Sequence, residues 1–129
     1  MANRCHIRNF VRNVLGCTCP GKIFEQIEDQ QVVSLSSPHT RSLTIGGRLL
    51  IYIWHVKEQE RLKAGLLAML ADGQKERDER GLNRFRAVLA VAANPHDIET
   101  QARAFLMQYA GNDDRMHIHV VSSAALLNI

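Results

Sequence analysis

The tetrapeptide Cys17-Thr18-Cys19-Pro20 has the residue types best suited to chemistry in this sequence. Pro20 favours the first position of a helix, so Cys19 would lie directly before the free backbone N–H groups at that helix end. These groups and the positive end of the helix dipole stabilise a thiolate. We therefore expect Cys19 to be the more nucleophilic sulfur or the first metal ligand, with Cys17 as its resolving partner or second ligand.

Two sulfurs separated by one residue could bind a soft metal or cycle between dithiol and disulfide. A ring closed over one residue is strained, and strained disulfides are more oxidising. A continuous first helix would place Cys5 about 18 Å along its axis from Cys17, so zinc or an iron–sulfur cluster would need ligands from a histidine or a second chain. In the alternative, structural interpretation, both cysteines are small residues of a tight turn.

His117 and His119 are weaker candidate metal ligands. Residues two apart on a strand point to the same face, and two such imidazoles can bind a transition metal. The alternative is a pair of polar residues on a partly solvated edge or beneath a helix. Their spacing alone does not distinguish these interpretations.

Several functional classes lack a motif. No Gly-rich phosphate loop follows an apolar strand, so no nucleotide cofactor is expected. No Gly-x-Ser-x-Gly turn or pair of carboxylates indicates hydrolysis. One Trp and two Tyr provide no aromatic platform for stacked bases, and the basic residues Arg4, Arg8 and Arg12 alone do not favour nucleic acid as a partner.

The two cysteines are expected in the turn of an N-terminal helical hairpin that occupies residues 1–29. Apolar residues recur at helical spacing over residues 3–15. Pro20 then begins a second helix, with Phe24 and Ile27 on its buried side.

Residues 31–129 are expected to form a mixed α/β core. A short strand at residues 33–35 precedes a hairpin in which Gly46-Gly47 can adopt the positive φ angles of a tight turn. The next strand, residues 49–56, is apolar on both faces, which is typical of a central strand covered on both sides.

Two helices and two strands follow. One helix begins near Lys57, and the charged residues 74–80 after it are expected to be a solvated extension or loop. A strand covers residues 85–93, Pro95 opens another helix, and the last strand covers residues 116–122.

This alternation implies parallel strands joined by right-handed crossovers. Two crossover helices on one face leave the other face for the N-terminal helices. The expected fold is a three-layer α/β/α sandwich with a mixed four- or five-stranded sheet, which contains three parallel strands and an antiparallel hairpin strand. With 129 residues and 46% apolar composition, the chain is expected to form a single domain over residues 1–129. By analogy with other parallel sheets, ligands would bind beyond the carboxyl ends of these strands.

The segments Phe10-Val11-Arg12, Leu15-Gly16-Cys17-Thr18-Cys19-Pro20 and Phe24 resemble the opening of a family of small uncharacterised prokaryotic proteins. The segment Gly46-Gly47-Arg48-Leu49-Leu50-Ile51-Tyr52 looks similar as well. This resemblance covers roughly a third of the chain and implies no established activity. It favours a functional site at the cysteine turn.

Charge and cysteine content suggest a cytoplasmic protein. The net charge is +3, from 16 basic and 13 acidic side chains that are mostly interleaved. Three cysteines without a secretory leader favour reduced thiols, and no apolar run approaches the roughly 18 residues of a membrane span. The Arg-rich start before Glu25 also fits a mitochondrial transit peptide, an alternative that would make the cysteine turn dispensable.

Two functional hypotheses follow. The first is a thiol-based redox or metal-binding protein that acts through Cys17 and Cys19. The second is a non-catalytic interaction module with structural cysteines, either a homo-oligomer or a domain that binds another protein through its basic first helix.

Overall fold

A computed structural model describes residues 4–14, 26–32, 38–57, 61–92, 95–111 and 113–126. Within these ranges a mixed sheet of five strands runs in the order β1-β2-β3-β4-β5. The strands are β1 (Ile27–Gln31), β2 (Arg41–Ile45), β3 (Leu49–His55), β4 (Arg84–Val91) and β5 (Met116–Ser122). The helices are α1 (Arg4–Asn9), which continues as a π-helical segment (Phe10–Val14), α2 (Leu62–Glu79), α3 (Pro95–Ala110) and a short 3-10 helix (Ser123–Leu126).

The mixed sheet confirms the predicted strand directions. Strands β3, β4 and β5 are parallel, while β2 is antiparallel to β3. The turn between β2 and β3 has φ angles of 60° at Gly46 and 64° at Gly47, which only glycine adopts readily. The apolar strand β3 lies in the middle of the sheet, as its lack of a polar face predicts.

Each face of the sheet has its own apolar core. Helices α2 and α3 pack on one face, against alternate residues of β3, β4 and β5 such as Tyr52, Phe85 and Ile118. On the opposite face Ile7, Phe10 and Val11 of the N-terminal helical residues join a second core cluster. The members that the strands contribute to this cluster are Leu43, Ile45, Leu49, Ile51, Ile53 and Val88. Both helices that connect the parallel strands therefore lie on one side of the sheet, as predicted.

The prediction that a second helix extends to residue 29 is wrong at its C-terminal end. Residues 27–29 belong to β1, whose five residues pair antiparallel with β2 from Ile27 opposite Ile45 to Gln31 opposite Arg41. Ile27 alone, which is partly buried, fits a strand as well as a helix, and the partner strand decides between them. The turn at residues 17–20 and the predicted strand at residues 33–35 lie outside the described residues.

The charged stretch at residues 74–80 is an extension of a helix and not a loop, and it is not solvated throughout. Helix α2 continues through it to Glu79, and Arg77 in its middle is only 2% exposed. The Arg77 guanidinium contacts Asp113 at 2.9 Å and Asp78 at 3.1 Å. Burial opposes its charge, but the hydrogen bonds to these carboxylates raise the pKa of Arg77. No helix in the described ranges has the length and apolar character to cross a membrane.

We expect Gly73→Ala to destabilise the fold by about 1–3 kcal/mol, because a Cβ at this position would overlap the fully buried ring of Phe85. Urea unfolding of both proteins measures the difference. The double variant Gly73→Ala/Phe85→Leu should lose less stability than the sum of its single variants. An increase of about 1 kcal/mol in the free energy of unfolding, as expected for Gly→Ala at an exposed helical position, would show that the close approach of Gly73 to Phe85 does not limit packing.

Candidate functional site

The predicted site residues lie in two different parts of the chain. Cys17 and Cys19 lie outside the described residues, so their chemistry stays a prediction. His117 and His119 lie on β5, at the end of the sheet where β4 and β5 begin. His117 pairs with Arg86 and His119 with Val88, which places both imidazoles on the face opposite α2 and α3.

Two arginines on β4 extend to these histidines. Nη1 of Arg84 lies 3.2 Å from Nε2 of His117, and Nη1 of Arg86 lies 2.7 Å from Nε2 of His119. Each contact runs diagonally from a residue on β4 to a residue on β5. The contact between Arg86 and His119 repeats the contact between Arg84 and His117 two residues further along both strands. Together Arg84, Arg86, His117 and His119 form what we call the basic cluster.

The backbone conformation at the start of β4 positions Arg84 and Arg86 on one face of the sheet. Gly81, with a φ of 65°, lies in the turn that ends α2, and the N–H groups of Asn83 and Arg84 then donate to the carbonyl of Arg48. Phe85 enters the core on the helix-covered face. Because successive strand residues alternate between faces, Arg84 and Arg86 lie together on the other face.

The contacts determine the protonation state of both histidines. A guanidinium can only donate hydrogen bonds, so Nε2 of each imidazole must accept one. An imidazole that accepts at Nε2 is neutral and carries its proton on Nδ1. The two histidines of the basic cluster are therefore uncharged beside two permanent positive charges.

The electrostatics agree with this assignment. Burial and the charges of Arg86 and Arg103 lower the pKa of His119 to about 4, although Glu99 opposes the shift. Burial and the two cluster arginines also lower the pKa of His117, against a smaller effect of the loop carboxylates. Burial and the neighbouring Arg84 lower the pKa of Arg86 itself.

This environment disfavours a cation. A metal ion would have to displace both arginines from the Nε2 atoms and then remain beside their charges. Among the residues that the structure describes, no group of three or more His, Cys, Asp or Glu side chains could hold a metal. The same four side chains are well suited to an anion, since guanidinium groups bind oxyanions through charge-assisted hydrogen bonds.

The arginines of the basic cluster were not among the residues singled out from the sequence. The sequence pattern that could have indicated this cluster is Arg84-Phe85-Arg86 at the start of one strand and His117-Ile118-His119 at the start of another. Each pattern places two basic residues on one face. Only the parallel pairing of β4 with β5 brings the two pairs together.

A second polar group lies on the helix-covered face. The rings of His39 and Tyr52 stack with centroids 3.8 Å apart, and the Tyr52 hydroxyl donates to Glu76. Arg80 donates to Glu76 at 2.6 Å and to Thr44 at 3.1 Å. His39 and Tyr52 are 5% and 3% exposed, so a substrate could not reach either ring and the group is structural.

No protein-family model, curated protein or solved structure matches this chain. The resemblance of its cysteine turn to a prokaryotic family stays a prediction.

We expect His119→Gln to make the protein less sensitive to acid. The unfolded chain binds a proton at His119 near pH 6.5, whereas the folded protein does so near pH 4, so stability is lost as pH falls through this interval. The substitution should reduce the slope of unfolding free energy against pH by up to about 1.4 kcal/mol per pH unit. Urea unfolding at several pH values measures this slope.

The control for this prediction is His96→Gln, which removes an exposed histidine from α3. A slope reduced as much as in His119→Gln would show that the effect does not come from the basic cluster. Equal slopes for His119→Gln and the wild type would contradict the assignment of a buried neutral imidazole.

Proposed function

We propose that the protein binds a small anion through the basic cluster. The observation that carries this proposal is the repeated guanidinium–imidazole contact, at 3.2 Å and 2.7 Å, on one face of two neighbouring strands. Two permanent positive charges are thereby held close together, and each neutral imidazole adds an N–H donor. A phosphate, sulfate or carboxylate group offers the matching acceptors.

Partial burial strengthens this interaction. Arg86 and His119 are partly shielded from water, and a charge-assisted hydrogen bond is stronger where water is excluded. Arg84 is exposed, so a ligand can approach from solvent at that end of the cluster. Burial and repulsion from Arg84 lower the pKa of Arg86, and a bound anion would offset both.

We expect inorganic phosphate, titrated at constant ionic strength and followed by NMR, to shift the resonances of Arg84, Arg86, His117 and His119 in a saturable way. Arg84→Gln should raise the Kd about tenfold or more, because one charge-assisted contact contributes about 1.5–3 kcal/mol. This variant changes an exposed side chain and should fold normally.

The matched control is Lys75→Gln, which removes one positive charge from an exposed position of α2 on the other side of the sheet. It should bind phosphate like the wild type. Equal weakening by both substitutions would indicate non-specific attraction to a basic protein, and unchanged binding by Arg84→Gln would exclude this site.

We also propose that the Cys17-Thr18-Cys19-Pro20 turn is a thiol site in a cytoplasmic protein, either a redox dithiol or a metal-binding pair. Support comes from the helical residues Arg4–Asn9 and Phe10–Val14, which run towards the predicted helix stop just before Cys17. A second helix that ends before β1 would complete a helical hairpin and the third layer of the fold.

Native mass spectrometry of untagged protein, prepared without chelator, tests the thiol proposal against a Cys17→Ser/Cys19→Ser variant. A metal or iron–sulfur adduct lost in the variant would support a metal site, and the subunit count would show whether two turns share it. A wild type lighter by two hydrogens after mild oxidation would support a dithiol. No difference beyond the substitutions would favour the interaction module with structural cysteines.

A further inference from the structure

We propose that the ligand of the basic cluster is a tetrahedral dianion, of the phosphate monoester or sulfate class, and that His119 takes up a proton when it binds. This inference rests on the anion-binding function proposed above. It adds the charge of the ligand and the linkage of its binding to pH.

Charge balance favours a dianion. Once His119 is protonated, Arg84, Arg86 and His119 are all positively charged. A phosphate or sulfate dianion is attracted to them more strongly than a monocarboxylate. Its oxygens also point in several directions, so it can accept hydrogen bonds from donors on two strands at once.

The backbone spacing suits a ligand of this size. Arg84 and Arg86 are two residues apart on one strand, so their Cα atoms lie about 6.7 Å apart. His117 and His119 have the same spacing on the neighbouring strand, about 4.8 Å away. Four long or planar side chains that rise from so small an area of one sheet face can converge on a single tetrahedral group.

The present contacts explain the proton uptake. In the structure, Nη1 of Arg86 donates to Nε2 of His119 at 2.7 Å. A dianion that accepts this guanidinium hydrogen leaves Nε2 without its donor and beside negative charge. One proton from solvent then binds Nε2, and the new N–H donates to a ligand oxygen. The Arg86 to His119 hydrogen bond is lost, and each residue gains a hydrogen bond to the anion.

Several charged groups influence this proton. Arg86 on β4 and Arg103 on α3 oppose protonation of His119, as His117 on β5 would if it were charged, while Glu99 on α3 favours it. Asp113 and Asp114 in the loop before β5 act in the same direction on His117. The 3-10 helix packs against β4 and β5 and contains no titratable side chain. The π-helical segment packs against this 3-10 helix and includes Arg12, which is exposed. A bound dianion would add negative charge beside His119 and so favour its protonation.

Isothermal titration calorimetry with sodium sulfate tests the inference, because sulfate stays a dianion across the pH range used, whereas a phosphate group has its own second pKa of about 6. Titrations near pH 7 in buffers of different ionisation enthalpy give the number of protons taken up. We expect uptake approaching one proton per site, and a Kd that rises by up to about tenfold per pH unit above neutrality.

His119→Gln tests the source of the proton, and acetate tests the charge of the ligand. The variant should still bind sulfate but take up almost no proton, and the wild type should bind acetate at least tenfold more weakly than sulfate. Far-UV circular dichroism checks that the variant is folded, and Arg84→Gln, altered at an exposed residue, should weaken sulfate binding independently.

The two proposals fail in different ways. Sulfate binding without proton uptake, uptake that persists in His119→Gln, or acetate bound as tightly as sulfate would overturn this inference and leave anion binding intact. No saturable binding of phosphate, sulfate or acetate would overturn the proposed function as well.

Discussion

The parallel register of β4 with β5 is the constraint on which both the core and the candidate site depend. Phe85 opposite Met116 and Ala87 opposite Ile118 place apolar side chains under α2 and α3. The same register places Arg86 opposite His117 on the other face. A shift of one residue in either strand would move its basic side chains under the helices and its apolar ones out of the core. The apolar core therefore holds the basic cluster in place.

Arg77 and Arg86 are both shielded from water but have different electrostatic surroundings. Arg77 lies between the carboxylates of Asp78 and Asp113, which hold the end of α2 to the loop before β5 and offset the cost of burial. Arg86 instead contacts a neutral imidazole, and burial together with the neighbouring Arg84 lowers the pKa of Arg86. The first arrangement is a structural ion pair. The second combines burial with repulsion between like charges, an arrangement often found at functional sites.

The two faces of the sheet consequently have different roles. The helix-covered face includes the stacked and buried rings of His39 and Tyr52 and the ion pair between Glu76 and Arg80. The basic cluster lies on the opposite face and at the amino ends of the parallel strands. Ligands of parallel sheets usually bind beyond the carboxyl ends, near helix N-termini. Here the charge comes from side chains on the strands, so no helix end is needed.

The sequence by itself determined the main elements and their order. Continuous apolar runs indicated the buried strands β3 and β4. Gly46-Gly47 indicated the hairpin between β2 and β3, and Pro95 indicated the start of α3. Each of these signals acts over a few neighbouring residues. It also placed His117 and His119 on one face. Tertiary structure decided the rest. Ile27 belongs to a strand because it pairs with β2. The charged end of α2 is helical because Arg77 forms an ion pair with Asp113. The basic cluster forms because β4 pairs with β5, which lies more than thirty residues further along the chain. Contacts between residues so far apart depend on register and packing, which local spacing does not encode.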